Sequence, residues 1–421
     1  MPSSVLSLVF WLSLEFGSSP SLPALLLLCP LSLILNDKRS SMSEHKSKKP
    51  ANTAFKQQRL KAWQPLLTPK TVLPTLFAVG IVFAPLGGLF LYESETVNDI
   101  VIDYTDCITL NETAVPLADN LYDYKFTAEN TTVIRAPSYW LTQESSYMTG
   151  QAAPAGETIP RCNIQFSIPF ELRSPVYLYY RLTNFYQNHR KYVKSLSYNQ
   201  LNGENVSPGD AEASCAPVGT AADGKIYYPC GLIANSMFND TFSNMTLLNP
   251  QGSSDNITYT MSEKGIAWSS DVSRYKKSST PVEQLTPPPN WQKRYPSGYT
   301  AENLFDPSQD EHFLVWMRTS WYPTFRKLYS KYESDPLQPG TYQIQVDMNY
   351  DIRTYGGTKS IVLSGTSFLG ARNPFMGLAY IIMGCACAFL GVVFLGWHFF
   401  RPRKLGDHDR LSWNQSGGLG H

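Results

Sequence analysis

Two long stretches with no acid, lysine or arginine constrain this chain more than any other feature. Residues 71–92 read TVLPTLFAVGIVFAPLGGLFLY, and residues 375–400 read FMGLAYIIMGCACAFLGVVFLGWHFF, with His398 near the end. A helix needs about 20 apolar residues to cross a hydrocarbon core of roughly 30 Å. A soluble helix of this length would carry a polar face, and neither segment does. Both are read as transmembrane helices. A third apolar stretch, residues 22–35, is short, is broken by Pro30 and follows another apolar run at 5–14. A signal peptide is one reading of it, but no basic residues precede it. Met42 then opens a polar, basic sequence, so translation is expected to start there, leaving residues 1–41 as an extension outside the protein.

Flanking charge sets the orientation. Residues 42–70 hold Lys46, Lys48, Lys49, Lys56, Arg59, Lys61 and Lys70 against one acid, Glu44; Arg401, Arg403 and Lys404 follow the second span. Glu93, Glu95 and Asp99 follow the first. The positive-inside rule then makes 42–70 and 401–421 cytosolic and puts residues 93–374 in the lumen or outside the cell. Two further features agree. The middle section carries glycosylation sequons at Asn111, Asn130, Asn205, Asn239, Asn244 and Asn256, with Pro208 close behind that of Asn205. A sequon at Asn414 falls on the cytosolic side and is expected to go unused. The middle section also holds Cys107, Cys162, Cys215 and Cys230. An even number of cysteines in an oxidising compartment implies two disulfides, and the sequence alone leaves three pairings open.

A net charge of +1 with no basic stripe gives no basis for nucleic-acid binding. Aromatic residues make up 13% of the chain, which suits β-rich packing and membrane interfaces. The clearest strand pattern runs over 342–352, where Ile344, Val346, Met348, Tyr350 and Ile352 alternate with polar residues. Residues 164–170, 176–182, 257–261 and 360–364 are further strand candidates, separated by turn-forming runs such as NGENVSPGD at 202–210. Helical pieces are expected at 55–64, 184–194 and 323–332. The expected fold class is a membrane protein with two transmembrane helices and a large β-rich, antiparallel sandwich-like lumenal domain with short helices. In the spans, Pro74 and Pro85 should kink the first helix. Gly377, Gly384 and Gly391 recur every seven residues in the second, with Ala388 on the same stripe. That stripe serves either the chain's own first span or a partner helix.

Chemical motifs are scarce. GGTKS at 356–360 lacks the glycine spacing of a phosphate loop, no DKTGT-like phosphorylation sequence occurs, and the six histidines show no zinc-binding pattern. No metal or cofactor is expected. Three runs stand out instead: YYRLTNFYQNHRKYVKS at 179–195, CGLIANSMFNDTF at 230–242 with GIAWSSD at 265–271, and FLVWMRTSWYPTFRKLY at 313–329. Each mixes aromatics with Asn, Gln and Arg. Such runs build either a hydrogen-bonded core or a contact surface, since Trp, Tyr and Arg anchor interfaces.

With these runs, FKQQRLKAWQP before the first span and GTKSIVLSGTSFLGARNPFMG entering the second, the chain resembles the accessory β-subunits of lipid flippases, the cell division control protein fifty/ligand-effect modulator family. The similarity covers about residues 50–400. It implies a non-catalytic partner of a type-IV P-type ATPase that moves aminophospholipids to the cytosolic leaflet. Such a subunit is needed for the ATPase's folding, exit from the endoplasmic reticulum and activity. It sits in the endoplasmic reticulum, Golgi, endosome or plasma membrane, among membrane lipids. The family pattern pairs the cysteines in order, Cys107 with Cys162 and Cys215 with Cys230. Phe55, Arg59, Trp63, Arg181, Asn184, Tyr186, Asn188, Trp316, Arg318, Gly384 and Gly391 are the expected partner contacts. The competing reading is a membrane-anchored lumenal glycoprotein that acts in adhesion, as a receptor or as a glycan enzyme.

Overall fold

The structure is a computed structural model of the chain, and the residues described are 51–61, 67–126, 135–153, 156–250 and 255–402. The expected extension 1–41, Trp63, Asn130, Arg403, Lys404 and Asn414 lie outside them. Residues 51–61 form turns, not the expected helix: the amide of Gln57 bonds to the Thr53 carbonyl and that of Arg59 to the Ala54 carbonyl, and Gln58 takes a φ of +54°.

In chain order the helices are α1 Pro69–Glu95, α2 Arg190–Lys194, α3 Tyr198–Leu201, α4 Pro208–Cys215, α5 Leu232–Asn235, α6 Ser269–Arg274, α7 Glu311–Met317 and α8 Pro374–Phe400. The strands are β1 Asp99–Asp103, β2 Val115–Pro116, β3 Tyr122–Lys125, β4 Ser138–Glu144, β5 Ile159–Ile168, β6 Val176–Leu182, β7 Ile226–Tyr227, β8 Thr241–Phe242, β9 Met245–Leu248, β10 Ile257–Tyr259, β11 Leu285–Thr286, β12 Phe325–Tyr332, β13 Gly340–Asp347 and β14 Lys359–Ser364.

Helices α1 and α8 are the two spans. At 27 residues each they reach about 40 Å, more than a bilayer's hydrocarbon thickness. Helix α1 runs unbroken through Pro74 and Pro85. The spans pack on each other through small residues. A Cβ added to Gly377 would lie 2.6 Å from the Leu91 nitrogen, one on Gly384 2.7 Å from the Ala84 nitrogen, and one on Gly87 2.6 Å from the Ile381 nitrogen. Only the absence of a side chain allows this approach. The Tyr380 ring fills the space between Phe83 and Phe90, at centroid distances of 5.0 and 5.4 Å.

Between the spans lie two antiparallel sheets. The five-stranded one has the order β12-β6-β14-β1-β3, and the seven-stranded one β10-β9-β13-β5-β4-β2, with β8 also paired to β13. Each strand lends alternate residues to a shared core: Ile100 and Ile102, Leu178, Tyr180 and Leu182, and Ile361 and Leu363 from one sheet, with Ile164, Phe166, Tyr342, Ile344 and Val346 from the other. Burying each such side chain contributes about 1.5–3 kcal/mol. The expected strand over 342–352 ends early, at Asp347. That carboxylate is buried and accepts from Arg161 Nε at 2.6 Å and the Met148 amide at 2.8 Å. Met348 and Ile352 still reach the core.

Two further helix expectations differ from the structure. Of residues 323–332, Phe325–Tyr332 form strand β12, paired to β6 with a bulge at Leu328/Ser330. In 184–194 only Arg190–Lys194 is helical, because the residues before it bond outward to other loops. Disulfides join Cys107 to Cys162 and Cys215 to Cys230. The first ties the turn after β1 to β5 in the other sheet, across the core.

The core carries many phenols. Burial raises the hydroxyls of Tyr192 and Tyr275 to about 12, with Asp271 adding to the effect at Tyr275. In unfolded chain a tyrosine ionises near 10. The fold therefore favours the neutral phenol, and this stability is complete below pH 10 and lost as pH climbs through 12. Tyr192 alone accounts for roughly 2–3 kcal/mol over that window. Thermal midpoints followed with tyrosinate absorbance should be flat up to pH 10 and fall steeply between 10 and 12.

Candidate functional site

At one end of the five-stranded sheet, β1 and β14 connect to the spans, with Asp99 opposite Ser364. At the other end, Leu182 of β6 lies between Lys359 of β14 and Phe325 of β12. Three loops gather there: 183–189, 318–324 and 352–358. Asn184 sits at φ +54°, a left-handed conformation that asparagine tolerates. From it Nδ2 donates to the Tyr355 carbonyl at 2.7 Å. Asn188 Nδ2 donates to the Trp321 carbonyl at 2.8 Å, and the buried Gln187 Oε1 accepts from the Ser320 amide at 2.8 Å. Phe185 packs inward against Trp316, Phe325 and Tyr355. The alternation along 184–188 thus buries Phe185 and Gln187 and leaves Tyr186 outside.

The outcome is a rigid face with four exposed aromatics: Tyr186, Trp321, Tyr322 and Tyr355, of which Trp321 is 84% exposed. Arg318 borders it. Its guanidinium pairs with Asp271 at 2.5 Å and lies 4.9 Å over the exposed Trp268 ring. Beneath, Lys327 closes the C-terminus of α7, donating to the carbonyls of Val315 at 2.9 Å, Trp316 at 3.2 Å and Arg318. Burial and the nearby Arg318 charge push its ammonium down to about 7, while those carbonyls accept its hydrogen bonds. At the other end of α7, Glu311 accepts from the amides of Gly265, Ile266 and Ala267 at 2.8–3.0 Å. Burial opposes its ionisation, but those three amides outweigh it and hold the carboxyl below the usual range. The GIAWSSD and FLVWMRT runs are therefore one construction, anchored by Glu311 and Arg318.

The expected contact residues fall into groups. Asn184, Tyr186, Asn188 and Arg318 are exposed at this face. Arg181 is half-buried within the sheet and reaches Ser360 Oγ at 3.3 Å. Trp316, expected at the contact surface, is instead fully buried, with its indole N–H on the Ile233 carbonyl at 2.7 Å. Gly384 and Gly391 are not open to a partner either, because α1 occupies their side of α8, Ala84 against the first and Phe77 against the second. Phe55 and Arg59 are exposed in the 51–61 turns. Trp321 and Tyr322 fall within the aromatic run at 313–329 but not among the individually expected contacts, and Tyr355 lies outside all three runs.

The sequon residues Asn111, Asn205, Asn239, Asn244 and Asn256 are all exposed. Asn244 and Asn256 use Oδ1 to accept from the Met261 and Asn249 amides, which leaves Nδ2, the atom a glycan joins. A cleft of about 740 Å³ is lined by Glu263, Asp306, Asp310, Glu311 and His312 among others. Two of its half-buried carboxylates are engaged: Asp310 caps α7 and pairs with Arg294, and Asp306 accepts from Ser308. The Lys359–Ser360 pair of the GGTKS stretch is buried, and Lys359 is salt-bridged to Asp240 at 2.7 Å.

Comparison with known proteins gives a consistent picture. The model of the LEM3 (ligand-effect modulator 3)/CDC50 family matches residues 90–404. The chain is 39% identical to the phospholipid-transporting ATPase accessory subunit CRF1 of Saccharomyces cerevisiae, over 90% of this chain and 92% of that protein. It is 40% identical to the accessory subunit LEM3 of the same yeast, over 88% of each. It is 37% identical to cell cycle control protein 50A of Bos taurus, over 83% of this chain and 89% of that one.

Proposed function

We propose a function from the premise that this chain belongs to the LEM3 (ligand-effect modulator 3)/CDC50 family: it is an accessory subunit of a phospholipid-transporting P-type ATPase. The observation that carries this is the 39–40% identity, over 88–90% of the chain, to two proteins of that name. The chain is a membrane protein whose partner is the catalytic ATPase subunit.

Finer features follow as part of the same proposal. The subunit is non-catalytic, and its polar groups serve the fold. Glu311, Asp310, Lys359 and Asp240 are each committed to amides or to buried ion pairs. The partner carries out the ATP chemistry and moves aminophospholipids, and the subunit supports its folding and its exit from the endoplasmic reticulum. Both termini face the cytosol, and the sheets lie in the lumen with glycans on the exposed sequons. The aromatic face of Tyr186, Trp321, Tyr322 and Tyr355 meets the outer loops of the ATPase. It has the composition of an interface centre and is held rigid by Asn184, Gln187 and Asn188.

The test is recovery of a P-type ATPase with the tagged full-length chain from detergent-solubilised membranes. Wild type should bring it down. A Tyr186→Ala/Trp321→Ala double variant should reduce recovery about tenfold, since two exposed aromatic anchors are lost, with no change in the chain's own level. Absence of any P-type ATPase with wild type would refute the accessory-subunit reading. Unchanged recovery with the double variant would move the docking face elsewhere.

A further inference from the structure

The loop between β14 and α8 ends in a small turn with an apolar tip. Ser367 and Gly370 exchange both backbone hydrogen bonds, at 3.0 and 2.9 Å, and the Ser367 hydroxyl accepts from the Leu369 amide at 3.2 Å. Gly370 closes the turn at φ +95°, which a side chain would strain. The two residues at the tip, Phe368 and Leu369, are 72% and 47% exposed. A closed turn that presents Phe and Leu outward is unfavourable in water.

The turn is fixed relative to the spans. Arg372, just beyond it, pairs with Glu95 at the end of α1 and donates to the Val97 carbonyl at 3.4 Å. The Asn373 amide donates to Ser94 Oγ at 2.9 Å, and Arg326 reaches across to the Arg372 carbonyl at 2.9 Å. The root of the turn is thereby pinned where both spans leave the bilayer. Exposed aromatics already mark that level: Tyr92 on α1 and Phe375 on α8. Trp397, Phe399 and Phe400 mark the opposite end of α8. Aromatic belts of this kind sit at the headgroup level of membranes. Residues 365–371, GTSFLGA, carry no charged or amide side chain, unlike the aromatic face at the far end of the sheet.

We infer that the Phe368–Leu369 turn is a third membrane anchor, which inserts into the headgroup and acyl boundary of the leaflet on the side of the sheets. Together with the two spans it fixes how the sheets stand on the bilayer. Its occupant is lipid, of no particular headgroup, and the contact exists whether or not an ATPase is bound.

The test places a photoreactive benzoyl-phenylalanine at position 368, and separately at 369, of the full-length chain in membranes containing alkyne-tagged phosphatidylcholine. Position 355, 53% exposed but at the far end of the sheet, is the reference. Lipid adducts at 368 and 369 should exceed those at 355 about tenfold, as expected for a buried aromatic at the interface. Lipid yield no higher than at 355 would overturn the inference. So would predominant cross-linking to the ATPase polypeptide, which would make the turn a protein contact. Both readouts are separate from co-purification, so failure here leaves the accessory-subunit reading standing.

Discussion

Replacing Asp240 by alanine should cost the folded protein about 3–5 kcal/mol, because it strands a buried ammonium. Asp240 is almost fully enclosed and takes four donors: Lys359 Nζ at 2.7 Å, the Tyr104 hydroxyl at 2.9 Å, and the amides of Asn349 and Tyr350 at 2.6 Å each. Lys359 also donates to the Tyr350 carbonyl at 2.7 Å and lies 5.2 Å from the centre of the Tyr104 ring. These groups come from the end of β1, the start of β14, the approach to β8 and the loop after β13. The network therefore ties the two sheets together at one place. Burial and then the Asp240 charge raise the Tyr104 hydroxyl well above its ordinary value, so it stays a donor at any physiological pH. Lys359→Met should cost a similar amount, since it leaves the buried carboxylate without a counter-charge. The double variant Asp240→Asn/Lys359→Met should cost clearly less than the sum, because asparagine still accepts from the amides and no lone charge remains. Thermal midpoints of the purified full-length chain should fall by roughly 10 °C for each single variant. Additive losses in the double variant would show that the two side chains act independently. Asp240 is also the middle residue of the Asn239 sequon, and none of these changes alters Asn239 or Thr241. A loss of stability with an unchanged sequon points to the ion pair and not to a missing glycan.

The same buried charges explain which parts of the fold were legible in the sequence. The spans were plain because nothing in them competes with hydropathy: expected limits of 71–92 and 375–400 became Pro69–Glu95 and Pro374–Phe400. Strand β6 was legible to the residue, since Val176, Leu178, Tyr180 and Leu182 face inward at every second position. Strand β12 was not. Its inward set is Phe325, Lys327 and Tyr329, and Leu328 points the other way. A lysine inside and a leucine outside cancel the period-two signal. Lys327 faces inward because it folds back to close α7, the element just before β12, and a period-two pattern does not encode that. The candidate face suffered from the same limit. Trp316 and Trp321 are five residues apart and equally aromatic, yet one is in the core and the other is the most exposed side chain on the face. The difference lies in α7, which Asp310 caps through the Phe313 amide at 3.0 Å and which ends at Met317. The glycine stripe was read correctly as a close-packing surface, but sequence could not say which helix fills it.

Within the spans, inward and outward glycines should respond oppositely to a side chain. Gly87→Leu or Gly377→Leu should separate α1 from α8. In both, the added carbon meets backbone atoms of the facing helix, 2.6 Å from the Ile381 nitrogen in one case and 2.6 Å from the Leu91 nitrogen in the other. Backbone cannot step aside as a flexible side chain would, so the helices must move apart, at a cost of about 3 kcal/mol or more. Gly391→Ala should be milder, because the nearest atoms there are at the end of the Phe77 ring, 3.1 Å away. Gly88 and Gly396 have nothing within 4 Å of such a carbon and point away from the pair. Gly88→Leu and Gly396→Leu should leave the level and melting of the isolated subunit unchanged. The first two variants should lose most of their monodisperse protein in detergent, whether or not an ATPase is co-expressed. A partner helix seated on the outer side of either span would reverse the order in one assay only. Gly88→Leu or Gly396→Leu would then reduce ATPase recovery while the subunit itself stays intact. If both outward variants recover the ATPase in full, the partner's helices lie against neither of those two positions.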